Sequence, residues 1–242
     1  MRVSVAIPAY DEVENLEHVV AEARAVLAQP ADAGEVLIVD DGSRDGTAEL
    51  ADALAARHPD VRVVHHAANR GFSGAMSTCF REARGDFVFL APADGQVSIA
   101  ELPRFLALAE RADIVVGVRR RRAEGLRRKL PSLAFHLASR VLLALPDREF
   151  SSAFLFRRSL LDAMPFASRP RSATLLPEIL ARARFRRAAV VPLEIDHGPR
   201  LAGREKGGKL ADALPNLVEL IRVAVLVRIQ ERRAARYSPL NF

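Results

Sequence analysis

The sequence has one cysteine, Cys79, no tryptophan, two tyrosines and three methionines among its 242 residues. A lone thiol closes no internal disulfide, which excludes a disulfide scaffold and points to a reducing, cytosolic compartment. With so little cysteine and scattered histidines, a zinc site is disfavoured; His65 and His66, at a predicted strand end, read as surface residues. Long apolar runs are also missing. The most apolar stretch, Leu217 to Ile229, carries Glu219, Arg222 and Arg228, whereas a membrane span needs about 20 mostly apolar residues. No targeting segment is expected, because Met1 leads straight into Val3 to Ile7 and Pro8 without a basic start. Neither a G-x-x-x-x-G-K-[ST] run nor a G-x-G-x-x-G is present, so a P-loop and a dinucleotide fingerprint are unsupported.

What is present describes one globular domain: 50 % hydrophobic and 27 % charged residues in a chain of 26.5 kDa. A chain this long buries about 70 % of its unfolded surface and needs no staple. The net charge of +6 is unevenly divided. Residues 1–100 hold 8 Arg against 16 Asp and Glu, net −8; residues 101–242 hold 28 Lys and Arg against 14 acids, net +14. An acidic half beside a basic half suits a polyanionic ligand at their junction, the acidic side engaging it through a cation. The basic run Arg119 to Lys129 lacks interleaved aromatics and a reading motif, so nucleic acid is not an expected partner.

The first hundred residues alternate strand and helix patterns, the mark of successive βαβ units and a largely parallel sheet. Strands are predicted at Val3 to Ile7, Val36 to Val39, Val61 to His65, Phe87 to Leu90, Asp113 to Val116, Ala153 to Phe156 and Ala189 to Ile195. Helices are predicted at Glu14 to Leu27, Thr47 to Ala56, Ser73 to Arg84, Leu130 to Leu145, Leu175 to Ala183 and Leu214 to Arg236, with Asp45 or Thr47 capping the second. Ligands bind such sheets beyond the carboxyl ends of their strands. Two polar clusters follow strands there. Asp40-Asp41-Gly42-Ser43 either offers a carboxylate to a base or ribose or makes an Asx turn that starts the next helix. Asp94-Gly95-Gln96 either supplies two oxygens to a hard divalent cation or is a plain turn. Their joint position after parallel strands favours a metal-assisted nucleotide site.

Four segments in order, VAIPAYDEVENL (5–16), VLIVDDGSRDGTAEL (36–50), NRGFSGA (69–75) and GDFVFLAPADGQ (85–96), resemble family 2 glycosyltransferases. Within that family the chain is most similar to dolichyl-phosphate mannose synthases and other polyprenyl-phosphate glycosyltransferases; residues 115–122, 148–162 and 197–209 resemble that subgroup's later motifs, the likeness being strong to about residue 122 and looser beyond it. The resemblance implies a GT-A fold, that is, a Rossmann-like, mostly parallel sheet flanked by helices, as residues 1–212, followed by a basic amphipathic helix and tail, 213–242. It implies that Pro8, Tyr10 and Glu12 border the nucleotide and that Asp40 contacts its base or ribose. Asp94 and Gln96 would bind Mg²⁺ or Mn²⁺ on the diphosphate, with Arg119, Arg200 and Lys206 at the departing phosphates or the acceptor. One departure stands out. Where the family commonly has Asp-Ala-Asp, this chain has Pro92-Ala93-Asp94, so the first carboxylate is missing and the arginines are left a larger share of the diphosphate charge.

The implied reaction is an inverting displacement at the anomeric carbon of a nucleotide-diphospho-sugar. An alcohol acceptor needs a general base, but a phosphate is already ionised at pH 7. Many cations and no isolated base therefore favour a polyprenyl phosphate over a soluble or protein acceptor, a non-catalytic nucleotide-sugar binder being the other alternative. Leu130 to Leu145 and Leu214 to Arg236 are basic and amphipathic, suited to a peripheral site on the cytoplasmic face of a membrane; packing on the sheet or a homodimer contact is the alternative.

Overall fold

Strand β1, Val3–Ala9, is buried along all seven residues, as a central strand covered on both faces must be. Parallel partners flank it: β2, Gly34–Asp40, on one side and β4, Phe87–Leu90, on the other, with β3, Val61–His65, beyond β2. The remaining strands are β5 (Ile114–Arg119), β6 (Phe154–Arg157) and β7 (Val190–Ile195), and the seven-stranded sheet runs β3-β2-β1-β4-β6-β5-β7. The computed structural model describes residues 1–28, 34–119, 126–145, 153–196, 198, 202 and 213–237, the side chains of 119, 126–133 and 234–237 excepted.

The sheet is mostly parallel, as expected, with one reversal. Strand β6 is antiparallel to both neighbours, Phe154 pairing with Leu90 on one side and Val116 on the other. Side-chain alternation is the same in either sense, so patterning alone carries no strand direction.

Helices cover both faces. On one lie α1 (Val13–Leu27) and α2 (Thr47–Arg57), α1 burying Leu16, Val19, Val20, Ala23 and Leu27 at helical spacing against Val5, Ile7, Val36 and Ile38. On the other, α3 (Phe72–Glu82) sets Met76, Cys79 and Phe80 against Leu37, Val39 and Val88. Each fully buried aliphatic side chain contributes about 1.5–3 kcal/mol. Two five-residue helices, α4 (Leu102–Leu106) and α6 (Arg158–Asp162), escape sequence reading because they are too short to display a period. Helices α5 (Leu126–Leu143), α7 (Leu175–Phe185) and α8 (Ala213–Tyr237) complete the second face, and Leu220, Val223, Ala224 and Val227 of α8 belong to its core.

Charge pairing fastens α8 to α7. Arg182, fully buried, donates to Glu178 at 2.7 Å and to Glu231 at 2.8 Å, and Arg186 donates to Glu231 at 3.1 Å. Nearer the start of α8, Glu219 receives Arg222 at 2.5 Å and the amide of Arg169 at 2.9 Å. Both acids of α8 thus face inward. Outward lie Leu214, Val218, Ile221, Val225 and Ile229, spaced four, three, four and four residues apart, together with Leu137 and Val141 of α5. Among the described residues no helix is long and apolar enough to cross a membrane.

Candidate active site

Strands β2, β1 and β4 end side by side. Ala9 pairs with Asp40, Ala6 pairs with Leu90, and the Ala91 amide donates to the Ala6 carbonyl at 3.0 Å. Asp40, Tyr10 and the 92–96 segment consequently leave the sheet at one edge, where open parallel sheets take ligands. Pro8 is buried inside β1 and Tyr10, half-buried, follows its end. Glu12 is nearly buried, its carboxylate accepting from Asn15 Nδ2 at 2.8 Å.

The two adjacent aspartates meet two adjacent histidines. Register pairs Asp40 with His65 on β3, and His65 Nδ1 lies 3.1 Å from Asp40 Oδ2 while its Nε2 lies 3.0 Å from Asp52 Oδ1 on α2. His66 Nδ1 lies 2.6 Å from Asp41 Oδ1, and its Nε2 2.9 Å from Thr78 Oγ1 on α3. Alternation sends the first pair to the α2 face and the second to the α3 face. The expectation of surface histidines fails for His66, whose side chain is 6 % exposed because an acid waits opposite it. Desolvation acts against a charge on His65, but the hydrogen bonds to Asp40 and Asp52 outweigh it, so this imidazole titrates above the ordinary histidine value.

Asp41 is also the anchor of the next loop, accepting the amides of Arg70 and Gly71 at 2.8 Å each. Gly71 has φ 82°, and a Cβ there would lie 2.9 Å from Arg171 Cα, so only glycine fits this junction. Both aspartates are 2 % exposed; only Asp40 makes a bond within the segment, its Oδ1 accepting the Ser43 amide at 3.2 Å, and neither caps α2.

Four bonds stitch the loop after β1 to the loop after β2: Asp11 N to Ser43 Oγ (2.9 Å), Arg44 N to Asp11 Oδ1 (2.8 Å), Glu12 N to Thr47 Oγ1 (2.8 Å) and Val13 N to Asp45 Oδ2 (3.2 Å). Asp11 sits at φ 50°, a left-handed conformation that aspartate tolerates and that these bonds hold. Gly46 occupies the cap position of α2, while Asp45 accepts the Thr47 amide and hydroxyl at 3.0 and 2.5 Å. Burial pushes the Asp45 carboxyl up, but the Thr47 and Val13 bonds leave it below its usual value.

Past β4, Gly95 takes φ 67° and Asp94 Oδ1 accepts the Gln96 amide at 3.1 Å, an Asx turn that leaves Asp94 and Gln96 half-buried. The segment after β7 reaches this turn and α1: Gly198 N donates to the Gln96 carbonyl at 2.9 Å, and Asn15 Nδ2 donates to the Ala202 carbonyl at 3.2 Å. Arg200 lies between those two residues in sequence; it and Lys206 fall outside the described residues. Arg119 ends β5, which runs in the same sense as β4, so its backbone lies at the same sheet edge.

Among the described residues no three His, Cys, Asp or Glu side chains gather into a metal cage. Asp94 and Gln96 offer one carboxylate and one amide oxygen, a donor set that fits a hard cation whose remaining ligands are water and substrate phosphates.

The pattern of glycosyl transferase family 2 matches residues 4–171. The chain belongs to that family. The undecaprenyl-phosphate 4-deoxy-4-formamido-L-arabinose transferase of Pseudomonas fluorescens (strain Pf0-1) is 34 % identical over 81 % of this chain and 58 % of its own length. The undecaprenyl-phosphate mannosyltransferase of Micrococcus luteus is 38 % identical over 50 % of this chain and 49 % of its own. The chain thus spans about three-fifths or less of these relatives. In fold it is similar to glucosyl-3-phosphoglycerate synthase from Mycobacterium tuberculosis, crystallised with Mn²⁺, UDP-glucose and phosphoglyceric acid (TM-score 0.67, 21 % identity, 93 % of this chain and 79 % of that one). Mannosyl-3-phosphoglycerate synthase from Rubrobacter xylanophilus is as close (TM-score 0.65, 21 % identity, 100 % and 77 %). The fold is GT-A.

Proposed function

We propose that this family 2 glycosyltransferase transfers a hexose, with inversion, from a GDP- or UDP-sugar to a polyprenyl phosphate at a membrane surface. The observation that carries the reading is the meeting of Asp40 and the Asp94 turn at one sheet edge, with Gly198 and Ala202 hydrogen-bonded beside them. The relatives that act on undecaprenyl phosphate supply the acceptor class.

In this reading Asp40 and Tyr10 border the base and ribose, and Asp94 and Gln96 hold Mg²⁺ or Mn²⁺. When bound, the ion supplies positive charge against the diphosphate oxygens. Arg119, Arg200 and Lys206 take up the charge that develops on the leaving nucleoside diphosphate, each worth most where water is excluded. Pro92, in place of a second carboxylate, reduces the negative charge opposing that diphosphate. The acceptor phosphate attacks already ionised, so no residue has to remove its proton.

The outer face of α8 supports the membrane part. Its aliphatic stripe is exposed, Arg228, Arg232 and Arg233 are exposed beside it, and its two acids are turned inward. Such a face is complementary to an anionic bilayer and self-repelling toward a second copy.

Purified protein incubated with GDP-mannose or UDP-glucose, Mn²⁺ and undecaprenyl phosphate should form glycosyl-phospholipid, and Asp94→Asn should abolish it. Transfer only to soluble sugars or to protein would overturn the acceptor; donor binding without turnover under any metal would overturn the enzyme.

A further inference from the structure

Asp40, on the reading above, is the carboxylate that meets the donor's base or ribose, yet it does not stand alone. It is 2 % exposed at the end of β2, and the ring on its far side is shared. His65 faces Asp40 Oδ2 with one nitrogen, at 3.1 Å, and Asp52 Oδ1 with the other, at 3.0 Å. A carboxylate accepts and never donates while ionised, so a ring that satisfies both must carry protons on both nitrogens. A neutral ring can donate to only one of them. Asp52, 69 % exposed on α2, meets the second nitrogen of the ring from the helix side.

We infer that His65, as an imidazolium strung between Asp40 and Asp52, is a positioning residue for the sugar-nucleotide donor. It fixes the rotamer of Asp40 and leaves Oδ1, which also receives the Ser43 amide, turned to the loop where the donor lies. Loss of one ring proton frees one of the two carboxylates, and donor affinity falls with it. The charged groups facing the ring are Asp40 from β2 and Asp52 from α2. On its own strand Arg62 is turned to Glu35 at the opposite end, and His66, just past the strand, faces Asp41 on the other side of the sheet. The raised titration of His65 follows from the same two carboxylates and places the loss on the alkaline side.

The inference rests on the proposed donor site, and the test separates the two. Affinity for GDP-mannose and UDP-glucose, which carry no titrating terminal phosphate, is measured with Mn²⁺ by calorimetry from pH 6 to 8.5 on the wild type and three variants. His65→Ala should weaken binding about tenfold at pH 6.5, raising KM with kcat within twofold. His65→Asn, whose amide nitrogen overlays Nδ1, should recover most of that affinity and lose the alkaline decline. Asp52→Asn, a surface change, should keep the decline but move it to lower pH, because one of the two charges favouring the imidazolium is gone. Wild-type affinity and an unmoved pH profile in folded His65→Ala and Asp52→Asn overturn the inference and leave the donor site standing. A folded wild type that binds neither sugar nucleotide overturns both.

Discussion

Asp41→Asn and Asp94→Asn are the same chemical change two strands apart, and the structure assigns them opposite consequences. Asp41 accepts three bonds, from Arg70 N, Gly71 N and His66 Nδ1, at 2.8, 2.8 and 2.6 Å. An asparagine keeps one oxygen. Its amide group must face either the Gly71 amide alone or the Arg70 amide together with His66. Taking the cheaper orientation, one charge-assisted bond of about 1.5–3 kcal/mol is lost and two others weaken by about 0.5–1 kcal/mol each as the charge goes. The total is about 2.5–5 kcal/mol, or roughly 5–20 °C in Tm for a chain of this size. The Asx bond that Asp94 makes to the Gln96 amide on its half-buried turn is one that asparagine reproduces, so the Tm of Asp94→Asn should move by no more than about 3 °C. Thermal unfolding followed by circular dichroism measures both shifts, and calorimetric titration of GDP-mannose or UDP-glucose with Mn²⁺ measures donor binding. Asp94→Asn should be the stable variant that loses metal-dependent donor binding. A Tm shift below about 3 °C for Asp41→Asn, or a larger one for Asp94→Asn, would refute the division of labour drawn here.

Three other outcomes follow from the same geometry. Glu231→Ala leaves Arg182 and Arg186 without the carboxylate that joins them to α8, and should cost about 3 kcal/mol in urea unfolding; under about 1 kcal/mol would mean that this ion pair adds little to the hold of α8 on α7. Val218→Glu with Val225→Glu, both on the exposed stripe, should cut co-sedimentation with phosphatidylglycerol vesicles several-fold at unchanged Tm, and equal binding would remove the membrane from the proposal. At Glu35 and at Glu219, burial raises the carboxyl but is outweighed, by bonds from Ser4, Arg84 N and Arg62 and from Arg222 and Arg169 N respectively. Both carboxyls titrate below their ordinary value, so the stability they add is complete above the usual carboxylate range and is lost as pH falls through their lowered values. Stability measured from pH 6 to 3 should decline less steeply in Glu35→Gln than in the wild type, and parallel curves would count against that assignment.

The long helices were legible by their period, and the strands as short runs of apolar and β-branched residues bounded by turn residues. Val61–His65 and Phe87–Leu90 match their expected bounds, and α1 begins one residue early because Glu12 fills the cap position. Asp40 and Asp94 were expected on one edge because both follow strands of a parallel set, and register puts them there. The partners of Asp40 and Asp41 were harder to see. His65 and His66 lie 25 residues away in sequence, and the link depends on β2 and β3 being neighbours in register, which patterning does not specify. One signal was available: two acids after one strand and two imidazoles at the end of the next. The reversed β6 and the inward turn of Glu219 and Glu231 depend on tertiary packing alone, since an amphipathic pattern counts an acid as polar wherever it points.

The family match stops at residue 171, but the folded unit does not. A chain cut there would keep the four segments between residues 5 and 96 that carry the family resemblance while baring the apolar side of α3 and β6, because Leu175, Ile179, Leu220, Val223 and Val227 all come from beyond the cut. It would also remove Ser172, whose carbonyl receives the Ser73 hydroxyl at 2.6 Å, loosening the start of the helix beside Asp41. Expression boundaries for this protein should therefore keep α8 and not stop where the family pattern does.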